Sequence, residues 1–154
     1  AYLLLASARG EAVLIDAPGD VWAEVAPRLA AAGCRLTELW ITHGHWDHMQ
    51  GAAEIIAAVP GLVVRAHPAD RMLLEKPEVM SVFLRGINLA PVRVDHWLAH
   101  GEKLAALGLD WEVRHVPGHC PGNVLFYAAG WGERGAAFVG DALFAGSVGR
   151  TDLP

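Results

Sequence analysis

The chain has 154 residues, of which 53% are hydrophobic and 19% are charged, and this composition is typical of one compact domain rather than of a disordered chain. The formal net charge of −5 and the lack of a Lys/Arg cluster argue against a nucleic-acid partner bound through its phosphates. No apolar run reaches the ~20 residues of a membrane helix, and no signal peptide is visible. Cys34 and Cys120 form no CxxC motif. We therefore expect a cytoplasmic protein with one domain over residues 1–154 and no membrane partner.

The first half of the chain predicts alternating strands and helices. Apolar runs over 2–6 and 11–16 predict a hairpin. A helix is predicted over 21–32, capped by the Asp20 side chain and ended by a left-handed Gly33. The next predicted elements are a strand over 35–42, a helix over 52–59, a strand over 62–66 and a short helix over 68–75.

The second half predicts mainly strands. The stretch over 76–100 has no clear pattern, and the strands predicted after it cover 104–107, 111–116, 123–128 and 136–139. Connections rich in Gly and Pro separate these strands, and we find neither an internal repeat nor a linker. The sequence therefore predicts one α/β domain.

A cluster of potential metal ligands follows the strand predicted over 35–42. It contains His43, His45, Asp47 and His48 within six residues. In an extended chain the first three side chains would point one way and the fourth the other. A loop that turns at Gly44 and again near residue 46 would instead pair 43 with 45 and 47 with 48, each pair facing a different ion. Imidazole and carboxylate ligands suit zinc, iron or manganese, and such a cluster beside core strands predicts a metal site rather than a solvated loop.

Two later loops offer further ligands. His119 follows Pro117 and Gly118 at the end of a predicted strand, and Asp141 follows Gly140 at the end of another. Either turn alone is common in loops. Together with the first cluster they predict a site assembled from several strand ends at one edge of the fold.

The order of these motifs resembles the metallo-β-lactamase superfamily. The chain carries His43-x-His45-x-Asp47-His48-x-x-Gly51, then Pro117-Gly118-His119, then Gly140-Asp141. His48 and the segments over 140–144 and 146–152 are similar to the glyoxalase II-like (hydroxyacylglutathione hydrolase-like) members. The resemblance implies an αββα sandwich, in which helices flank two facing mixed sheets.

The resemblance also implies a binuclear centre that holds two zinc ions, with iron or manganese as alternatives. The family expects one more histidine on a later Gly-His-Gly loop, which this sequence does not contain. The chain also opens directly in an apolar run and closes without a terminal helix or polar tail, so we expect it to be truncated at both ends. The implied ligands are His43, His45 and His119 for the first ion and Asp47 and His48 for the second, with Asp141 bridging both.

The implied activity is hydrolysis of a small-molecule thioester, such as a hydroxyacyl-glutathione, by a metal-bound hydroxide. A thiol of pKa ~8.5 leaves as thiolate without a strong general acid, whereas an amide nitrogen does not. Asp47 is placed to accept the proton if the second metal is absent, and Asp141 completes the catalytic set. Arg150 either binds an anionic part of the substrate or ties down its own loop.

Two other functions fit the same residues. A persulfide dioxygenase-like enzyme would use one iron held by the residues that match His43, His119 and Asp141. A non-catalytic metal-binding fragment would have an open sheet edge, and such an edge favours pairing into a homodimer. We interpret Cys120 as a small buried residue, and we assign structural or solvent-facing positions to the remaining histidines, which are His67, His96, His100 and His115.

Overall fold

Two β-sheets lie at the centre of the molecule. The structure is a computed structural model that describes residues 1–80, 87 and 89–152. The first sheet has the strand order β1-β2-β3-β4-β5, in which only the β1–β2 pair is antiparallel. Because β2, β3 and β4 are parallel, their carboxyl ends lie at one edge of the sheet. The strands are β1 (Tyr2–Ala6), β2 (Glu11–Ile15), β3 (Arg35–Trp40), β4 (Val63–Ala66) and β5 (His96–Trp97).

The second sheet is antiparallel throughout, in the order β6-β7-β8-β9. β7 and β9 therefore run in the same direction, and the loops that follow them lie at the same edge. A separate two-stranded hairpin of β10 and β11 follows β9. The strands are β6 (Lys103–Ala106), β7 (Leu109–His115), β8 (Val124–Ala128), β9 (Ala136–Phe138), β10 (Leu143–Phe144) and β11 (Ser147–Val148).

β2 is buried on both faces, which explains its continuous apolar sequence. Ala12 and Leu14 face the helices, whereas Val13 and Ile15 face the second sheet, and all four side chains are fully buried. The core between the sheets includes Trp40, whose ring centroid lies 5.2 Å from that of Trp111 and 4.9 Å from that of Phe126. Buried aromatic contacts of this kind join the two sheets firmly.

Among the described residues, four α-helices cover the other face of the first sheet. They are α1 (Val21–Ala32), α2 (Trp46–Met49), α3 (Ala52–Ala58) and α4 (Arg71–Glu75), and each buries side chains in the same core. The described residues thus form layers of helices, first sheet and second sheet, and among them no helix supplies the second helical layer of the expected αββα sandwich. No helix in the described ranges is long and apolar enough to cross a membrane.

The predicted elements of the first half are largely confirmed, with one correction at the start of α1. Gly33 ends α1 in the left-handed conformation, at φ 63°, as expected. The predicted capping by Asp20 is wrong, because Asp20 is itself left-handed, at φ 61°, and its side chain makes no cap hydrogen bond. The carbonyls of Pro18 and Asp20 accept the amides of Val21 and Ala23 instead. Asp tolerates this conformation better than most residues do.

Several boundaries differ from the predicted ones. The predicted 35–42 strand ends at Trp40, and the predicted 68–75 helix divides into a 3₁₀ turn (Pro68–Asp70) and α4. β7 begins two residues before the predicted 111–116 strand. The stretch without a pattern contains a 3₁₀ turn (Pro77–Met80) and β5, and its residues 81–86 and 88 lie outside the described residues.

Candidate metal centre

Three histidines meet at the edge where the strands of both sheets end. His43 and His45 lie on the loop after β3, and His119 lies on the loop after β7. All three are buried, and one nitrogen of each lies within 4.8 Å of the others. The ring centroids of His45 and His119 are 4.6 Å apart, and that of His43 is 4.7 Å from His45 and 4.9 Å from His119. The structure therefore brings together the three residues expected to hold the first ion.

A second group of donors lies beside the first and consists of His43, His48 and Asp141. Nε2 of His48 is 3.2 Å from Oδ1 of Asp141, and Nε2 of His119 is 3.7 Å from Oδ2 of Asp141. Each carboxylate oxygen thus faces one group, which is the placement expected of a bridging ligand. His43 belongs to both groups.

The short helix α2 explains how His48 reaches this centre. His45 is extended, at φ −68° and ψ 148°, and the chain then turns into one helical turn. The ring centroid of His48 consequently lies 4.1 Å from that of His43. The arrangement agrees in part with the looped alternative for the sequence cluster, because His43 pairs with His45 in one group and His48 lies in the other.

Asp47 lies apart from both donor groups. Successive residues of an α-helix point about 100° apart, so the turn that directs His48 inward directs Asp47 outward. Its side chain is 50% exposed, and its Oδ2 is 3.9 Å from Nε2 of His48. The assignment of Asp47 as a ligand of the second ion stays a prediction.

Hydrogen bonds at the outer nitrogens orient two of these imidazoles. Nδ1 of His119 lies 2.8 Å from the carbonyl oxygen of Arg150, and Nδ1 of His48 lies 2.8 Å from Oδ2 of Asp16. Each Nδ1 is assigned as the donor because its partner can only accept. In the neutral rings, Nε2 then presents its lone pair to the centre, as metal-binding histidines require.

Asp16 is a site residue that the sequence did not single out. Its buried carboxylate accepts the amide of Thr42 at 2.7 Å and the Thr42 hydroxyl at 2.8 Å. That hydroxyl oxygen lies 3.1 Å from Nδ1 of His43. Asp16 therefore orients His48 directly and His43 through Thr42. The signal available in the sequence was an acidic residue at the end of a buried strand, directly before a Pro-Gly turn.

The pKa values of the two histidines in the second donor group are shifted in opposite directions. Burial, followed by the positive charges of the neighbouring imidazoles, lowers the pKa of His43. Burial also acts to lower the pKa of His48, but the hydrogen bond and charge of Asp16, with the charges of Asp141 and Asp47, outweigh it and raise that pKa. His43 is accordingly a neutral donor at ordinary pH.

The donors fit a divalent metal ion. Nε2 of His43 is buried and has no hydrogen-bond partner among the described residues, and leaving such a nitrogen unsatisfied costs about 1–3 kcal/mol. Nδ1 of His45 lies 2.9 Å from Nε2 of His119, so two ring nitrogens face one another around the same point. A bound cation would satisfy these nitrogens, and a set of imidazoles with one carboxylate suits zinc, iron or manganese.

Arg150 contributes to the centre through its backbone. Its guanidinium pairs with Asp152 at 2.6 and 2.7 Å, while its carbonyl accepts from His119. At Gly149, an added Cβ would lie 2.0 Å from the carbonyl oxygen of Asp141 and 3.0 Å from Cβ of His119, so only glycine permits this approach. These contacts agree with the alternative in which Arg150 holds its own loop in place. The other alternative, that Arg150 binds an anionic part of the substrate, stays a prediction.

The remaining histidines lie outside both donor groups. The rings of His67 and His115 stack at 3.8 Å with an interplanar angle of 16°. His115 also bonds the carbonyl of Pro121 at 2.7 Å, and its amide donates to Nδ1 of His100 at 3.2 Å. His96 pairs with Glu102 at 2.6 Å. These contacts agree with the structural positions expected from the sequence.

Comparison with known proteins identifies the family. Residues 1–154 match the family model described as the metallo-beta-lactamase superfamily, and the chain belongs to that superfamily. Hydroxyacylglutathione hydrolase GloC of Haemophilus influenzae is 34% identical over 146 residues, which cover 93% of this chain and 66% of that protein. The resemblance seen in the sequence and the expected α/β fold class are thereby confirmed.

Two solved structures are similar to the chain along almost its whole length. The BLEG-1 B3 metallo-β-lactamase superposes with a TM-score of 0.85 at 30% identity, covering 99% of this chain and 71% of that one. TTHA1623, in a di-iron-bound form, superposes with a TM-score of 0.80 at 35% identity, covering 99% of this chain and 72% of that one. The chain spans just under two thirds of the length of the GloC relative.

Proposed function

We propose that the protein is a metal-dependent hydrolase that acts on a thioester, with a hydroxyacyl-glutathione as the substrate class. The observation that carries the proposal is the position of Asp141, whose two oxygens face two adjoining donor groups. When bound there, divalent ions lower the pKa of a coordinated water towards neutrality and stabilise a developing oxyanion. The similarity to GloC supports the thioester as substrate.

The residues of the centre have distinct roles in this proposal. His43, His45 and His119 hold the first ion, Asp47 and His48 hold the second, and Asp141 bridges both. Zinc is the metal that we propose, with iron or manganese as alternatives, and the di-iron-bound form of TTHA1623 supports the iron alternative.

Asp47 is proposed as the proton acceptor when the second ion is absent. Its carboxylate is half exposed beside Nε2 of His48, so it can take a proton from the attacking water and pass it to solvent. A thiolate leaving group requires no strong general acid. The side chains at this edge therefore suffice for a thioester.

The test is hydrolysis of S-lactoylglutathione by the purified chain loaded with zinc, iron or manganese, together with metal analysis. We expect two ions per chain and thioester turnover. The Asp141→Asn variant should lose turnover and the second ion. Asp110→Asn, an exposed carboxylate on β7, should retain both and serves as the matched control.

Other outcomes would overturn the proposal. A faster reaction with a β-lactam than with the thioester would overturn the substrate class. If the protein binds two ions per chain but hydrolyses neither the β-lactam nor the thioester, the assignment as a hydrolase is overturned. One iron per chain with oxygen consumption on a persulfide would favour the dioxygenase alternative, which the closeness of His119 to Asp141 also permits.

A further inference from the structure

A buried carboxylate outside the donor groups lies behind the first of them. Asp70 ends the 3₁₀ turn after β4, and only 1% of its surface is exposed. Its Oδ2 accepts the amide of Gly44 at 2.8 Å, and its Oδ1 accepts the amide of Gly122. Sγ of Cys120 lies 3.2 Å from each oxygen.

These three partners belong to the two loops that carry the first donor group. Gly44 lies between His43 and His45, and Cys120 follows His119. One loop leaves the first sheet and the other leaves the second. A single carboxylate therefore joins the backbones of both loops through hydrogen bonds of the strong, charge-assisted type.

The approach of Asp70 to both loops depends on glycine. An added Cβ at Gly44 would lie 3.1 Å from Cβ of Asp70 and 2.8 Å from Cβ of Leu73. An added Cβ at Gly122 would lie 2.5 Å from Cγ of Asp70. All three distances are shorter than ordinary contacts between carbon atoms. A side chain at Gly122 would displace the carboxylate, and one at Gly44 would press on Leu73 and on Cβ of Asp70.

The thiol acts as a third donor. Sγ of Cys120 lies 3.2 Å from both oxygens of the Asp70 carboxylate, and its S–H is the donor in this contact. The described hydrogen-bond partners of the Asp70 carboxylate are thus all donors from the two loops.

We propose that Asp70 is a positioning residue that fixes the separation of the His43–His45 loop from the His119 loop and thereby sets the metal affinity of the first donor group. The proposal rests on the metal centre of the proposed function and not on its substrate. An imidazole triad binds an ion tightly only when its three nitrogens are held at the right separation.

The decisive variant is Asp70→Asn, which keeps the size of the side chain. Its amide group places N–H against one of the loop amides, so one loop loses its acceptor. We expect the zinc affinity, measured by competition with a chelator, to fall by about 10–100-fold. The d–d absorption of the cobalt-loaded protein should change as well.

Asp95→Asn is the matched control. Asp95 also accepts a backbone amide, that of Val64 at 2.9 Å, but it contacts neither loop of the centre. Its zinc affinity and cobalt spectrum should match those of the wild type. Wild-type affinity and spectrum in a folded Asp70→Asn protein would overturn the proposal.

Two further measurements apply if Asp70→Asn does not fold. Gly122→Ala should displace the same carboxylate and weaken zinc binding similarly, and wild-type affinity in this variant would contradict the proposal. In the wild type, zinc should slow hydrogen exchange at the amides of both Gly44 and Gly122, since ion and carboxylate hold the same loops. Hydrogen-exchange rates at these two amides that do not change with zinc would overturn the proposal. None of these readouts depends on thioester turnover, so failure of the substrate assignment would be seen separately.

Discussion

Oδ2 of Asp16 lies 2.8 Å from Nδ1 of His48, and this contact joins the end of β2 to the helical turn that carries part of the metal centre. The same carboxylate accepts two hydrogen bonds from Thr42. Asp16 is 3% exposed, so its partners are protein groups rather than water. The contact fixes which nitrogen of His48 faces Asp141.

Asp16→Asn should therefore weaken binding of the second ion. An amide at this position can present N–H to Nδ1 of His48, which favours the tautomer with its proton on the nitrogen that faces the centre. We expect the affinity for the second zinc to fall by about 10–100-fold, with a smaller effect on the first. Isothermal titration with zinc measures both steps, and equal losses at both sites would contradict this role.

Asp47→Asn separates the two roles considered for Asp47. If it accepts a proton, as its exposed position suggests, kcat should fall by about 10²–10⁴-fold while the number of ions bound per chain stays unchanged. Steady-state kinetics combined with metal analysis of the same sample gives the answer. Loss of one ion per chain would identify Asp47 as a ligand instead, and unchanged kcat would exclude the proton transfer.

Gly149→Ala should disturb the centre through the backbone. The new methyl group would overlap the carbonyl oxygen of Asp141 and press on His119, and overpacking of this kind costs about 1–3 kcal/mol. We expect a lower free energy of unfolding and weaker metal binding. Gly130→Ala is the control, because its added Cβ would meet only a leucine methyl at 3.4 Å. Equal stability of the two variants would contradict the prediction.

The stacked pair of His67 and His115 should make stability depend on pH. Burial, followed by the positive charge of His115, lowers the pKa of His67, although the charge of Asp70 opposes the shift. The unfolded chain takes up this proton near pH 6.5, whereas the folded protein takes it up at lower pH. The free energy of unfolding therefore falls as the pH drops below about 6.5 towards the pKa of the folded state.

His67→Phe keeps a ring on His115 but removes the titration. Denaturant unfolding between pH 5 and 8 should give a shallower loss of stability on acidification for this variant than for the wild type. The metal-binding histidines titrate in both proteins, so the difference between the slopes belongs to His67. Parallel slopes would show that the pair has no such effect.

The sequence predicted the first donor group because its ligands follow strand ends. His43 and His45 lie directly after an apolar run, and His119 follows a Pro-Gly turn after another. His43 and His45 follow β3 and His119 follows β7, and these strands end at the same edge of the fold. Local sequence thus indicated a shared site at the strand ends, and the resemblance to the metallo-β-lactamase superfamily assigned these three residues to one ion.

The parts that the sequence did not predict depend on contacts between distant residues. Asp16 bonds a histidine 32 positions away, and Asp70 bonds an amide 52 positions away. An acidic residue in a loop is ordinary until the fold buries it against backbone amides. The direction of Asp47 was missed for a different reason, since the single helical turn of α2 is too short to produce a periodic pattern.

The burial of Cys120 against Asp70 has a practical consequence for chemical labelling. A maleimide or iodoacetamide reacts with the thiolate, and Cys120 is 1% exposed with a raised pKa. The other free cysteine, Cys34, is partly exposed and precedes β3 at the end of that strand remote from His43. A fluorophore added to the folded protein should therefore attach at Cys34 alone, which gives an optical reporter without altering the metal centre.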